Sequence, residues 1–216
     1  GIEYCLDRGL DAWQFEILGH QARRVLDQGR WDEAAEMTAT ILRSPHTNAV
    51  ARLLALAVVA QLRARRGDPD FAGPLAEARE IAAPTGELQF VLPVAVAAAE
   101  IAWLSGGTGS GRPTAAEEVE AATGQALELA HRYRALPVIS ELIGWRRRCG
   151  LADPAPADPV GPYAPELTGD SAGAAAGLLE IGCDYQAGVA LCAGSVDQQW
   201  QAHAIFQALD ARPATW

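Results

Sequence analysis

Three glycines set the terms on which this chain can fold. Gly29 and Gly67 lie 38 residues apart, and Gly67 and Gly106 lie 39 apart. Each falls between stretches with helical apolar spacing. Before Gly29, Phe15, Leu18, Ala22 and Val25 recur at i, i+3, i+7 and i+10, one face of a helix. After it, Trp31 to Leu42 carries Ala34, Thr38 and Ile41 on one side. A fixed period of this length marks stacked helix–turn–helix units. The segment Gly29-Arg-Trp31-Asp-Glu-Ala34 has the parts such a turn needs. The glycine closes the first helix in a left-handed conformation, the aromatic plugs the gap between paired helices, and the alanine lets them approach. Gly182 with Tyr185 and Ala187 repeats the pattern faintly.

The remaining elements follow from local signals. Asp11 with Gln14 reads as a capping box opening the first helix. Val50 to Arg65 is apolar nearly all round, as a helix sandwiched between neighbours is. Gly67 to Asp70 breaks it, Phe71 to Ala83 is its partner, and Pro84-Thr85-Gly86 stops that helix. A third pair starts near Leu88 and tolerates Pro93 only in its first turn. Gly106 to Arg112 reads as a flexible loop. Thr114 with Glu117 is a second capping box, opening a helix to about Arg134. Pro137 suits the first turn of a helix ending at Arg148. Gly150 to Pro165 holds five prolines and is expected to be extended and exposed. Three short helices follow, the first capped by Asp170 and closed by Gly182, the second capped by Asp184, the third opened by a Ser195–Gln198 capping box and running to about Leu209.

The expected fold is therefore all-α: tetratricopeptide-like antiparallel helix pairs stacked into a right-handed superhelix. Residues 1–150 form the repeats, 151–166 a proline-rich connector, and 167–216 short helices packed on the repeats as one continuous array.

Charge and composition narrow the function. The net charge is −10, so a phosphate backbone repels the segment, and no direct nucleic-acid contact is expected of it. The longest apolar run, Val91 to Ala99, meets Glu100 well short of the ~20 residues a bilayer requires, so no membrane span is expected. Cys5, Cys149, Cys183 and Cys192 include no C-x-x-C pair and read as idle thiols in a reducing cytoplasm. The chain opens on Gly1 rather than methionine, which suggests the edge of a segment cut from a larger protein or a processed end.

No catalytic constellation is visible. His20, His46, His131 and His203 lie in separate segments, outside any H-E-x-x-H or G-x-S-x-G context. With no lysine among its 17 basic residues, the chain cannot hold a G-x-x-x-x-G-K-[ST] phosphate loop, so Gly106 to Gly111 is only a glycine-rich turn. No cofactor and no metal site are expected. Glu117-Glu118 with Glu120 reads as a solvated acidic helix start, and Arg146-Arg147-Arg148 as a basic helix end. A contact with a phosphate or an acidic partner is the sharper alternative for the arginines.

A binding role has a geometric basis. In stacked pairs the first helix of each pair lines the concave side. Counted from the three glycines, Arg23, Gln61 and Glu100 occupy equivalent positions and should form a polar row along a groove, flanked by His20, Asp27, Arg65 and Trp103. These seven residues are the candidate partner-binding groove.

The chain resembles the helical region of large LuxR-family ATP-binding transcriptional regulators of high-GC bacteria. The likeness rests on Leu10-Asp11-Ala12-Trp13, on Gly29 to Ala34, on Leu62-Arg63-Ala64-Arg65-Arg66-Gly67-Asp68-Pro69 and on Thr85-Gly86-Glu87-Leu88-Gln89. It continues through Pro162-Tyr163-Ala164 with Leu167, Gly169 and Asp170, through Ile181 to Ala187, and through Ala204 to Leu209. It spans nearly the whole chain, and the order of the motifs carries it. Where relatives tend to place tryptophans in the Asp170 helix, this chain has Ser171 and Gly177.

The resemblance implies a nucleotide-binding switch domain before this segment, a helix-turn-helix domain after it, and a role in sensing or relaying a signal between them. Partners would then be the flanking domains or a protein or peptide, and an exposed terminal helix pair could stack on a second copy. The alternatives are a peptide-binding tetratricopeptide adaptor unrelated to transcription, and a small-molecule sensor or enzyme with a closed pocket.

Overall fold

The computed structural model describes residues 1, 4, 5, 8, 10–106 and 114–212. Among the described residues from Asp11 on, eleven α-helices and one short 3-10 turn (Pro69–Phe71) form, and the described residues hold no strand. The helices are α1 (Asp11–Asp27), α2 (Trp31–Arg43), α3 (Ala49–Arg66), α4 (Ala72–Ala82), α5 (Leu88–Ser105), α6 (Ala115–Tyr133), α7 (Leu136–Arg148), α8 (Ala164–Leu167), α9 (Ser171–Glu180), α10 (Asp184–Leu191) and α11 (Val196–Ala208). The protein is all-α.

Packing follows chain order. α1 contacts α2 and α3, α3 contacts α4 and α5, and α5 contacts α6 and α7. The first members of consecutive pairs thus touch one another as well as their own partners. Past α7 the chain turns back: α9, α10 and α11 pack in series, and α10 also reaches α1. One core cluster accordingly joins Leu26 and Trp31 to Val96, Trp145, Tyr185 and Phe206.

The three glycines end α1, α3 and α5 with φ of 76°, 72° and 60°. Gly29 has a second reason to lack a side chain. A Cβ there would stand 2.5 Å from Leu209 Cδ2, so the C-terminal segment closes directly onto the first turn. Both later capping boxes are made: Thr114 with Glu117, and Ser195 with Gln198. Asp170 caps α9 by accepting from the Gly173 N–H at 2.8 Å.

Some local readings are corrected. α1 begins at Asp11 itself, with Leu10 in the cap position, so the expected Asp11 box is not the start signal. α10 likewise begins at Asp184, capped by Cys183 without a side-chain bond. Pro93 is the sixth residue of α5, beyond its first turn. An interior proline costs a helix about 3 kcal/mol. Here 11 of the 18 residues of α5 are buried, and that burial outweighs the lost bond. α5 also has the length and hydropathy of a membrane span, 1.7 on average, but it is the central core helix and mostly buried. The Gly107–Arg112 part of the expected loop lies outside the described residues.

The proline-rich connector is held down where exposure was expected. Arg146 Nε donates to Asp153 Oδ2 at 2.8 Å, and Arg147 donates to the carbonyls of Asp153 and Leu167 at 2.9 and 3.0 Å. Arg148 Nε donates to Glu166 Oε1 at 2.8 Å, and Ser140 Oγ accepts from the Val160 N–H at 3.3 Å. A segment poor in N–H groups cannot satisfy its own carbonyls, and the arginine run at the end of α7 supplies the donors. This lays Tyr163 and α8 along the array.

Candidate functional site

Equivalent positions on stacked helices become neighbours, and the polar row is the direct product. Arg23 Nη1 donates to Gln61 Oε1 at 3.1 Å, and Gln61 Nε2 donates to Glu100 Oε2 at 2.7 Å. One turn further along, Arg65 forms a two-pronged pair with Glu100 (Nε–Oε1 2.5 Å, Nη2–Oε2 3.0 Å) and reaches Asp27 Oδ1 at 3.3 Å. Arg23 Nε closes on Asp27 Oδ2 at 2.8 Å. Arg65 Nη1 also donates to the Leu26 carbonyl at 3.3 Å. The five side chains form one seam through α1, α3 and α5.

The seam runs inside the protein at one end. Gln61, Arg65 and Glu100 have no exposed surface, whereas the Arg23 and Asp27 side chains keep 24% and 17% of theirs. The cover is α10: the Tyr185 ring lies 3.9 Å from Arg65 Cζ, itself packed edge-on against Trp31 and tilted against Phe206. Burial opposes the charge on Arg65, but Glu100 and Asp27 outweigh it and hold the guanidinium more basic than usual. For Arg23 burial is likewise outweighed by Asp27 and Glu141.

The other end opens into a cavity of about 440 Å³ between α1, α3, α5 and α7. Leu54, Ala57, Val58, Leu92, Pro93 and Val96 give it an apolar floor. His20, Arg23, Asp27, Gln61, Gln89, Glu141 and Tyr163 supply its polar atoms. Burial pushes the Glu141 carboxyl up, with Arg23 pulling the other way. Burial, reinforced by Glu141 and Asp27, holds the Tyr163 phenol well above its ordinary value. A larger hollow of about 1010 Å³ beside α4 and α6 is lined by Ser105 and Glu117, which flank the undescribed residues 107–113.

No family model, no curated protein and no solved structure matches the chain.

The seven residues singled out from sequence divide three ways. Arg23, Asp27, Gln61, Arg65 and Glu100 come together in the seam, but the last three are interior and present no open face to a partner. His20 is exposed at the cavity mouth. Trp103 is half-buried and packs edge-on against Trp145, with ring centroids 6.1 Å apart. Glu141, Tyr163 and Tyr185 were missed. Glu141 had a signal: Gly150 follows α7 as Gly29 follows α1, and nine residues before each stand Glu141 and His20. The interval from Gly106 to Gly150 is 44 residues, so a count at 38 or 39 passes over it. Tyr163 and Tyr185 reach the site through the connector and the returning helices; the faint Gly182–Tyr185 turn pattern marks a helix start and says nothing of where that helix packs.

Among the described residues no group of three or more His, Cys, Asp or Glu side chains could hold a metal ion. The Cys149 thiol is pushed up to about 11 by burial, far from a thiolate.

Proposed function

We propose that this chain is a non-catalytic, tetratricopeptide-like scaffold, the signal-sensing or interdomain regulatory segment of a LuxR-family bacterial transcriptional regulator. The observation that supports it most is the seam. It ties three repeat helices to one another and, through Arg65 and Tyr185, to the helices that return from the far end of the chain. A ligand or partner acting at the cavity end therefore acts on Asp27 and Gln61, which bond to Arg65 and Glu100, and Arg65 in turn packs on Tyr185 of the C-terminal helices. That is the coupling a relay segment requires.

The contact pattern of α1, α3, α5 and α7 supports stacked pairs, and the left-handed glycines at 38- and 39-residue intervals support a tetratricopeptide-like unit. The peptide-adaptor reading has less behind it, because its groove residues Gln61, Arg65 and Glu100 have no exposed surface, and Arg65 lies under Tyr185 of α10. The deciding test is the reading frame around the segment. A phosphate loop upstream and a helix-turn-helix downstream support the regulator; a frame that ends at both edges of the segment overturns it and returns the adaptor to first place.

A further inference from the structure

We propose that the cavity between α1, α3, α5 and α7 binds a small organic cation with an apolar body, its ammonium or amidinium group paired with the Glu141 carboxylate. The proposal is independent of the regulator reading, since it concerns only the walls of this cavity.

The charges around the cavity do not balance. Arg23 and Arg65 face Asp27, Glu100 and Glu141. Both arginines are committed within the seam, Arg23 to Asp27 and Gln61, Arg65 to Glu100 and Asp27. Arg148, the other cation that acts on Glu141, is paired with Glu166. Glu141 makes no hydrogen bond and no ion pair with any described residue, although its side chain lines the cavity and is half-buried. A carboxylate withdrawn from water without a partner is stabilised by any cation that can reach it.

The rest of the wall suits the same ligand. Pro93 has no N–H, so the Gln89 carbonyl lacks its helical donor, and both residues line the cavity. Tyr163 adds an aromatic ring beside Glu141, the surface that organic cations favour. Leu54, Val58, Leu92 and Val96 receive an apolar body. The volume of about 440 Å³ lies within the range of small-molecule sites. An anion finds no uncommitted arginine here and two nearby carboxylates.

Proton linkage gives an independent readout. The groups facing Glu141 are Arg23, Asp27 and His20 on α1, Glu100 on α5, Arg148 on α7 and Tyr163 from the connector. Burial raises the Glu141 carboxyl, and a bound cation favours its ionised form, so binding releases protons in the acidic range where the free carboxyl titrates, and cation affinity falls as that carboxyl is protonated.

The test uses the 216-residue chain and size-matched fragments of three classes: primary amines and amidines, carboxylates, and neutral amides and alcohols. Ligand-observed NMR should find binding confined to the cations. Glu141→Gln should weaken it at least tenfold, while Glu128→Gln, on the exposed face of α6, leaves it unchanged. Calorimetry at acidic pH in two buffers of different ionisation enthalpy should report proton release with wild type. Binding without charge preference, no cation bound at millimolar concentration, or equal affinity in Glu141→Gln each overturns the proposal. Should Glu141→Gln not fold, a wild-type affinity for the cations that does not fall as pH is lowered through the carboxyl's titration overturns it equally.

Discussion

The two ends of the polar seam lie on the same stack of helices and live under different physics. At the Arg65–Glu100 end, every charge has a partner and none has exposed surface. At the Arg23–Glu141 end, the side chains border a cavity and one carboxylate has no partner. Stacked repeats put polar groups in register along their shared face, and whatever lies over that face decides what they do. Under Tyr185 the register becomes a buried structural lock. Where no helix covers it, the same register becomes a place for a ligand. A buried lock costs desolvation and is therefore weak evidence for net stability, but breaking it from one side is expensive.

That contrast can be broken most forcefully at the covered end. Glu100→Ala leaves Arg65 charged and buried without its bidentate partner, and should destabilise the protein by about 3–5 kcal/mol in urea unfolding. Replacing Arg65 by Met and Glu100 by Leu together should recover most of that loss; if the double variant is as unstable as the single one, the seam contributes more than a compensated charge pair. Tyr185→Ala removes the lid and its contacts with Trp31 and Phe206, for about 3 kcal/mol, and should make the indole of Trp31 accessible to an aqueous quencher. At the open end the effects shrink. Arg23→Ala, which gives up bonds to Asp27 and Gln61, should cost about 1 kcal/mol. A loss as large as that of Glu100→Ala would mean the two ends are not distinct.

Glu141→Gln should have the smallest effect and the opposite sign. Because burial raises the folded carboxyl above its unfolded value of about 4.3, the folded protein holds that proton longer than the unfolded chain. The charged form therefore weighs against folding, not at all below that unfolded value and increasingly as pH rises through the folded one. The glutamine variant should gain a few tenths of a kcal/mol near neutral pH, and the gain should vanish in acid. A difference between variant and wild type that does not change with pH would place Glu141 in solvent.

Local patterns were legible wherever the signal and its cause lie in the same few residues. The left-handed glycines and the Thr114–Glu117 and Ser195–Gln198 boxes are cases, because a helix end is settled by the groups within one turn of it. Asp11, Asp184 and Pro93 were misplaced by similar reasoning. At Asp11 and Asp184 the helix starts one residue earlier than the cap expected of them, and in α5 burial of the whole helix overrode the local preference of Pro93. The connector was read as exposed because its own prolines argue for that, and the arginines that hold it belong to the preceding helix.

The sequence by itself determined adjacency. Gly29, Gly67 and Gly106 number the repeats, and Arg23, Gln61 and Glu100 bond to one another because equal positions on stacked helices meet. Only the tertiary structure decided burial. Whether those side chains face solvent, a lid or a cavity depends on where α10 and the connector come to rest. That is set by contacts between Tyr185 and Arg65, and between Gly29 and Leu209, which are far apart along the chain and carry no periodic trace. Periodicity reports what repeats, and a chain that folds back on its own repeats covers them only once.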